Sequence, residues 1–341
     1  MPLVSEKTSS TDDLYELVNN VDWRNLFDAS KTFAVDFTGT THFITNTQYG
    51  AQLAKDAIVD HFRRTTGQRP QVDRREPQIR VHIRHRLKQT SVSLDLSGTS
   101  LHRRGYRHEA GQAPMKENLA RAILIRSRWP ELCEREAPLI DPMCGAGTLL
   151  IEAAMMALKR APGLGRTDWG FFHTLAFHQD IWNDELAQAQ ATYDDNSQCK
   201  TMDLFGYDQD PRAIRQAERN VIAAGLEDHI RLRVKAIDQL SVPTHKPIGP
   251  GLLVSNPPYG ARMGEHDQLQ VTYQTFGERL KTHFDGWRAA IFTADGELQR
   301  MMALRFEKQY RMLNGALPCR LFLFDLTSQA QAAPTPKEKT R

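Results

Sequence analysis

Residues 138–154, PLIDPMCGAGTLLIEAA, decide the fold. Pro138 to Ile140 read as the end of a short buried strand, closed by Asp141. Cys144-Gly145-Ala146-Gly147-Thr148 then makes a tight turn, and Leu149 to Met156 start an apolar helix. A strand, a glycine turn and a helix in that order form the first unit of a doubly wound α/β sheet, where ligands bind at the carboxyl ends of the strands. Gly145 and Gly147 let the backbone come close to a ligand. The helix N-terminus behind them offers free N–H groups to a carboxylate or a phosphate.

A dinucleotide fingerprint needs a third glycine, and Leu150 stands in its place. Asp141 would repel a pyrophosphate; an acidic strand end suits a ligand with an ammonium group, such as the methionine part of S-adenosylmethionine. The plain alternative is an ordinary βα turn, and the glycine pair alone does not choose between them. Two further stretches do. Leu204-Phe205-Gly206-Tyr207 is a second strand ending in Asp208, and residues 251–260, GLLVSNPPYG, run a buried strand into Asn256-Pro257-Pro258-Tyr259.

DPMCGAGT, GYDQD and NPPY, in this order, resemble the signature of class I methyltransferases that methylate a planar exocyclic nitrogen. The resemblance implies a Rossmann-like catalytic domain with a seven-stranded sheet and S-adenosylmethionine as cofactor. It places Asp141, Cys144, Gly145, Gly147, Thr148 and Asp208 around that cofactor and Asn256, Pro257, Pro258 and Tyr259 at the reacting base. Asp208 ends a strand, where an acid accepts hydrogen bonds from ribose hydroxyls. Gly147 lies 61 residues before it, far beyond the usual spacing of about 20, so the strand end carries that assignment. Relatives place an acid just after the lysine at the third strand's exit to hold the adenine amine. This chain has Ala236 after Lys235, and Asp238 two positions on is expected to take the contact. Lys116 and Asn118 are further candidates, because the helix after Pro114 flanks the cofactor's methionine end in relatives.

NPPY suits an amine whose lone pair is delocalised into a ring. The Asn256 side-chain oxygen can accept one N–H and the Pro257 carbonyl the other, which turns the lone pair toward a sulfonium methyl group. Two prolines stiffen the loop and remove competing donors. Tyr259 can stack on a flipped base. Positioning then governs an in-line displacement that requires no metal. A rigid loop after a strand is the plain alternative for NPPY.

The chain has 341 residues, room for two domains. With 40% hydrophobic and 25% charged residues it reads as a soluble globular protein rather than a disordered or fibrous one. Its net charge of +3 is unevenly spread. Residues 63–107 hold twelve Lys or Arg against Asp73, Glu76 and Asp95, a net +9, which points to a polyanion or else to a solvated basic face. The four cysteines are scattered without metal-ligand spacing or a CxxC pair, so neither zinc nor a disulfide framework is implied. The N-terminus has no signal-peptide core, and no apolar run is long enough to span a bilayer, so the expected setting is the cytoplasm without a membrane partner.

Ahead of the catalytic motifs, Leu14, Leu17 and Val18 make a helical stripe, Phe33–Phe37 alternates as a strand, and Gln48–Arg64 repeats at helical spacing. Ile79, Val81 and Ile83 alternate with Arg80, His82 and Arg84, and Val92, Leu94 and Leu96 follow as a hairpin partner. Arg80, Arg84 and Arg86 on its polar face, and Arg103, Arg104 and Arg107 in the connector LHRRGYRH, are the RNA-binding candidates. Tyr106 is placed either to stack on a base or to pack at a domain junction. The aromatic stretch Ala161–Asp180 is expected either to wall the target-base pocket or to cover the sheet as a flap.

Asn46–Gly50, Asp95–Gly98 and Arg104–Arg107 carry a resemblance to the THUMP domain, an RNA-capturing module. The expected division is therefore a smaller α+β THUMP-like domain at 1–105, the methyltransferase at 106–328 and a disordered tail at 329–341. With Asp141–Ala154, these stretches resemble the bacterial 23S rRNA guanine(2445)-N(2)-methyltransferase family over residues 10–320 or so. That resemblance implies methyl transfer to guanine N2 of 23S rRNA, naked or in pre-50S particles. It also implies that this chain lacks a segment preceding the RNA-capture region and a fused 7-methylguanine methyltransferase domain. The motifs leave open a tRNA guanine-N2 enzyme and a non-catalytic RNA-binding assembly factor.

Overall fold

The computed structural model describes residues 1–107, 115–199, 202–244, 248–259 and 266–332. The chain divides into two compact units, Met1–Leu101 with Arg166–Glu185, and His102–Gly165 with Leu186–Arg341.

The first unit contains β1 (Pro2–Lys7), α1 (Thr11–Asn19), β2 (Phe33–Thr38), α2 (Thr47–Thr66), β3 (Ile79–Arg86) and β4 (Gln89–Asp95). Its sheet runs β1-β4-β3-β2, with β3 antiparallel to β4 and parallel to β2. Val81, Ile83, Val92 and Leu94 alternate inward against Leu14, Val18, Ala54, Ile58 and Phe62 of α1 and α2. Ser10 caps α1 in a reciprocal capping box with Asp13, and Asn46 caps α2.

The linear division at residue 105 is corrected by the aromatic stretch. Residues 166–185 lie in the stretch expected to belong to the second domain yet complete the first unit. Phe171 N–H donates to the Leu96 carbonyl at 3.1 Å and Leu175 N–H to that of Leu26 at 3.0 Å. Trp169, Phe171, Phe172, Phe177 and Trp182 pack ring against ring. The Arg166 guanidinium covers Trp169 at 4.2 Å and bonds the Ser97 carbonyl at 2.6 Å. The stretch therefore acts as a flap over the end of β4.

The second unit contains α3 (Glu117–Arg126), α4 (Trp129–Cys133), β5 (Leu139–Asp141) and α5 (Thr148–Ala157). After α6 (Gln179–Cys199), which begins in the first unit, come β6 (Leu204–Asp208), α7 (Pro211–Ala223), β7 (Ile230–Val234) and β8 (Leu252–Ser255). Then follow α8 (His266–His283), β9 (Arg288–Thr293), α9 (Gly296–Met301), β10 (Lys308–Asn314), β11 (Leu317–Asp325) and α10 (Ser328–Ala332). The seven-stranded sheet runs β10-β11-β9-β8-β5-β6-β7, parallel from β9 to β7, with β11 and β10 added antiparallel. Successive residues feed opposite faces. Leu139, Leu204 and Leu252 join the core with α3 and α5, while Ile140, Phe205 and Leu253 join the core with α8. The strand order reverses between β5 and β8, the place where such sheets open a crevice. Residues 329–332 of the expected tail belong to the helix α10, and the rest of it lies outside the described residues. Among the described residues no helix is long and apolar enough to cross a membrane.

Candidate active site

Three hydrogen bonds, two to β6 and one from α7, hold the loop after β5. Cys144 N–H donates to the Tyr207 carbonyl at 2.8 Å, Gly145 N–H to Asp208 Oδ2 at 3.0 Å, and Asn220 Nδ2 of α7 to the Ala146 carbonyl at 2.9 Å. The two glycines do different work. Both have positive φ, 52° at Gly145 and 79° at Gly147. A Cβ on Gly147 would meet Ala217 at 3.3 Å, so this glycine lets α7 close in. A Cβ on Gly145 would meet nothing within 4 Å, so this glycine borders open space.

That space is a cleft of about 470 Å³, within the range of small-molecule sites. Gly145 and Asp208 line one part of it, Asn256 and Pro258 another. Asn256 Oδ1 is buried and accepts no hydrogen bond among the described residues. Pro257 is buried, and Pro258 is exposed. Tyr259 is half-buried against the sheet core, and its hydroxyl accepts from Asn314 Nδ2 at 3.1 Å.

Asp141 is buried, its Oδ1 accepting the Met143 N–H at 3.2 Å. Burial pushes its carboxyl up to about 8; the Met143 bond opposes this and the charge of Asp208 adds to it. Between its ordinary value and about 8 the folded protein thus holds a proton that the unfolded chain releases, so stability falls as pH rises through that window. The slope approaches about 1.4 kcal/mol per pH unit. Urea unfolding at pH 5 and pH 8 checks it: Asp141→Asn loses this slope, and identical slopes in the two proteins would refute the assignment.

Several of the expected site residues lie off the cleft. The Cys144 side chain is buried in the core with its thiol pushed up by burial, so it supports the loop from beneath rather than facing the cleft. Thr148 is buried and its hydroxyl accepts from Arg107 at 2.7 Å. Asp238 sits exposed on the short 3-10 turn Ile237–Gln239; Ile237 of that turn and Lys235 before it line the cleft, and Asp238 does not. Lys116 and Asn118 are exposed and do not line it.

The arginines also separate. Arg104 pairs with Glu152, which is 0% exposed in the middle of α5, at 3.2 Å. Arg107 holds Thr148, the Met115 carbonyl at 3.0 Å and, at 3.7 Å, Glu117. Both face the catalytic core instead of solvent, because two buried carboxylates require cations. Tyr106 packs in that core, 2% exposed. Arg80 bonds Asp36 at 2.8 Å, and His82 sits between Asp36 and Asp95, so Arg80 is already paired across the strands. Arg84, Arg86 and Arg103 are exposed.

Residue reasoning missed Met143, Lys235, Ile237 and Thr272 on the cleft. Lys235 lies over the Tyr207 ring at 4.9 Å and, by position beside Ala236, was within reach of the strand-end argument.

A family model described as RMKL-like, methyltransferase domain, matches residues 104–322. The chain belongs to this family. A THUMP domain model matches residues 8–95. The RMKL-like chain is 44% identical over 332 residues to a protein of Saccharophagus degradans named ribosomal RNA large subunit methyltransferase K/L, covering 97% of this chain and 44% of that protein. It is 45% identical over 315 residues to the protein of the same name from Pseudomonas putida, covering 92% and 43%. It thus spans somewhat under half the length of these relatives. Among solved structures, SMU.472, crystallised with SAH, superposes with a TM-score of 0.82 at 28% identity, covering 95% of this chain and 82% of that one. A protein from Clostridium difficile 630 superposes with a TM-score of 0.81 at 25% identity, covering 100% and 84%.

Proposed function

We propose that this chain uses S-adenosylmethionine to methylate the exocyclic N2 of a guanosine in 23S ribosomal RNA. The observation that carries the reading is Asn256 Oδ1, a buried acceptor with no partner at the carboxyl end of β8, on the same cleft as Gly145 and Asp208. An unmet buried acceptor costs about 1–3 kcal/mol, and such costs are retained where a ligand meets them. Relatives named for large-subunit rRNA, and a crystallised relative holding SAH, support the substrate class and the cofactor.

The residues present fit that cofactor. Gly145 leaves room for it, Asp208 ends β6 where ribose hydroxyls would lie, and Asp141 is an acid beside the loop that an ammonium group would ionise. When bound, it supplies a methyl group on a sulfonium. Asn256 Oδ1 and the Pro257 carbonyl accept the two amine hydrogens and aim the nitrogen lone pair along the cleft. Tyr259 offers a ring face to the base.

Incubation with labelled cofactor and unmodified 23S rRNA, then digestion to nucleosides, tests the reading. Label is expected in N2-methylguanosine. Label in N6-methyladenosine, preference for tRNA, or RNA binding without any transfer would overturn it.

RNA capture is assigned to the first unit, on a groove of about 1000 Å³ beside the outer edge of β2. Asn46, which caps α2, and Gln48 and Lys55 of α2 line it, together with Arg69 and Arg74. Arg69 and Arg74 are exposed, and neither pairs with a carboxylate among the described residues. Reversing both to Glu is expected to weaken RNA binding at least about tenfold and to reduce the log–log salt slope by about 1–2. Filter binding at several salt concentrations measures both; an unchanged slope removes the groove from the interface.

A further inference from the structure

Tyr273 projects from α8 and is 0% exposed. Its hydroxyl lies 3.3 Å from the Pro258 carbonyl oxygen and 3.2 Å from Thr293 Oγ1 at the end of β9. Thr293 Oγ1 in turn accepts the Asp295 N–H at 3.1 Å. The proton positions follow from the chemistry. A carbonyl only accepts, so the single phenolic hydrogen goes to Pro258. Thr293 must then donate to the phenol oxygen. The result is a directed relay, Asp295 N–H to Thr293, Thr293 to Tyr273, Tyr273 to Pro258, with each hydrogen used once.

The relay ends on the loop that carries the amine acceptors. It engages the Pro258 carbonyl inside the protein, while Asn256 Oδ1, two residues earlier, stays unpaired. Two prolines fix the intervening φ angles, so a bond at Pro258 is transmitted to Asn256 with little slack. We propose that Tyr273, backed by Thr293, is a positioning residue that sets the Asn256 and Pro257 oxygens against the target amine. It touches neither substrate nor cofactor. The inference rests on the reading of Asn256 as an amine acceptor.

The test compares Tyr273→Phe, Thr293→Val and Thr293→Ser in the full chain, with turnover expressed per cofactor-binding site so that unfolded protein is not counted. Tyr273→Phe and Thr293→Val are expected to keep the affinity for S-adenosylmethionine and to lose about tenfold in kcat, as when one bond holding a reacting group is released. Thr293→Ser, which keeps the donor, recovers most of what Thr293→Val loses. An unchanged kcat in Tyr273→Phe, or a loss confined to cofactor affinity, KM or Tm, overturns the proposal. A second measurement needs no turnover. The Asn256 side-chain amide signal in selectively labelled protein shifts or broadens in Tyr273→Phe; superimposable spectra overturn the proposal. Should the wild-type protein methylate another nucleoside, the substrate reading fails, while the same kcat ratio and the same spectra still decide the role of Tyr273.

Discussion

Asn256→Ala leaves a folded protein that binds S-adenosylmethionine nearly as the wild type does and transfers methyl groups about 10³-fold more slowly. The magnitude is that of removing one preorganised hydrogen-bonding group from a transition state. The folded state loses nothing it was using, because Asn256 Oδ1 accepts no bond among the described residues. Removing an unmet buried acceptor also relieves a desolvation cost, so Tm stays the same or rises by a degree or two. Stability and activity thus move apart. Calorimetry for the cofactor, thermal unfolding and methyl transfer on one preparation measure all three. Less than a tenfold loss of transfer, or a fall of many degrees in Tm, would show that Asn256 serves the fold and not the amine.

Gly277→Ala is expected to destabilise the catalytic unit by about 3 kcal/mol, although alanine is worth about 1 kcal/mol more than glycine inside a helix. Gly277 lies in α8, and a Cβ there would sit 2.0 Å from the Met302 carbonyl oxygen and 2.6 Å from its C and Cα. Those are backbone atoms just after α9, so no rotamer change makes room. The helices would have to separate, and Tyr273 lies one turn before Gly277 on the same face. Gly296→Ala is the control, since a Cβ there meets nothing within 4 Å, and it should be neutral or slightly stabilising. Urea unfolding of the three proteins decides; a wild-type midpoint for Gly277→Ala contradicts the close approach.

The catalytic sheet was legible because its chemistry is local. Strand, glycine loop and helix at 138–157, the acid ending β6 and the proline turn after β8 each declare themselves within ten residues or so, and the sheet order follows from the fold they imply. β1 was not legible. Pro2–Lys7 is an edge strand with no buried residue, so it carries no apolar alternation. The inward turn of Arg104 and Arg107 was hidden because charge reads as surface until a partner is seen. One signal existed: Glu152 is the lone charge in the apolar run of α5, and a carboxylate there requires a cation. The position of Asp238 was not legible either, because the 3-10 turn after β7 brings Ile237, not Asp238, to the cleft. Tyr273 looks like any core aromatic on α8; only its hydrogen bonds distinguish it.

The polypeptide passes between its two units three times, after residues 101, 165 and 185. No single cut therefore yields an intact half. A fragment ending at 101 strips Phe171 and Trp182 from beside Leu94 and Leu96, and one beginning at 102 keeps twenty aromatic-rich residues without the surface they cover. The two units of this chain cannot be recombined as beads on a string; a graft of the first unit onto another protein would have to carry both of its segments, spliced at three junctions.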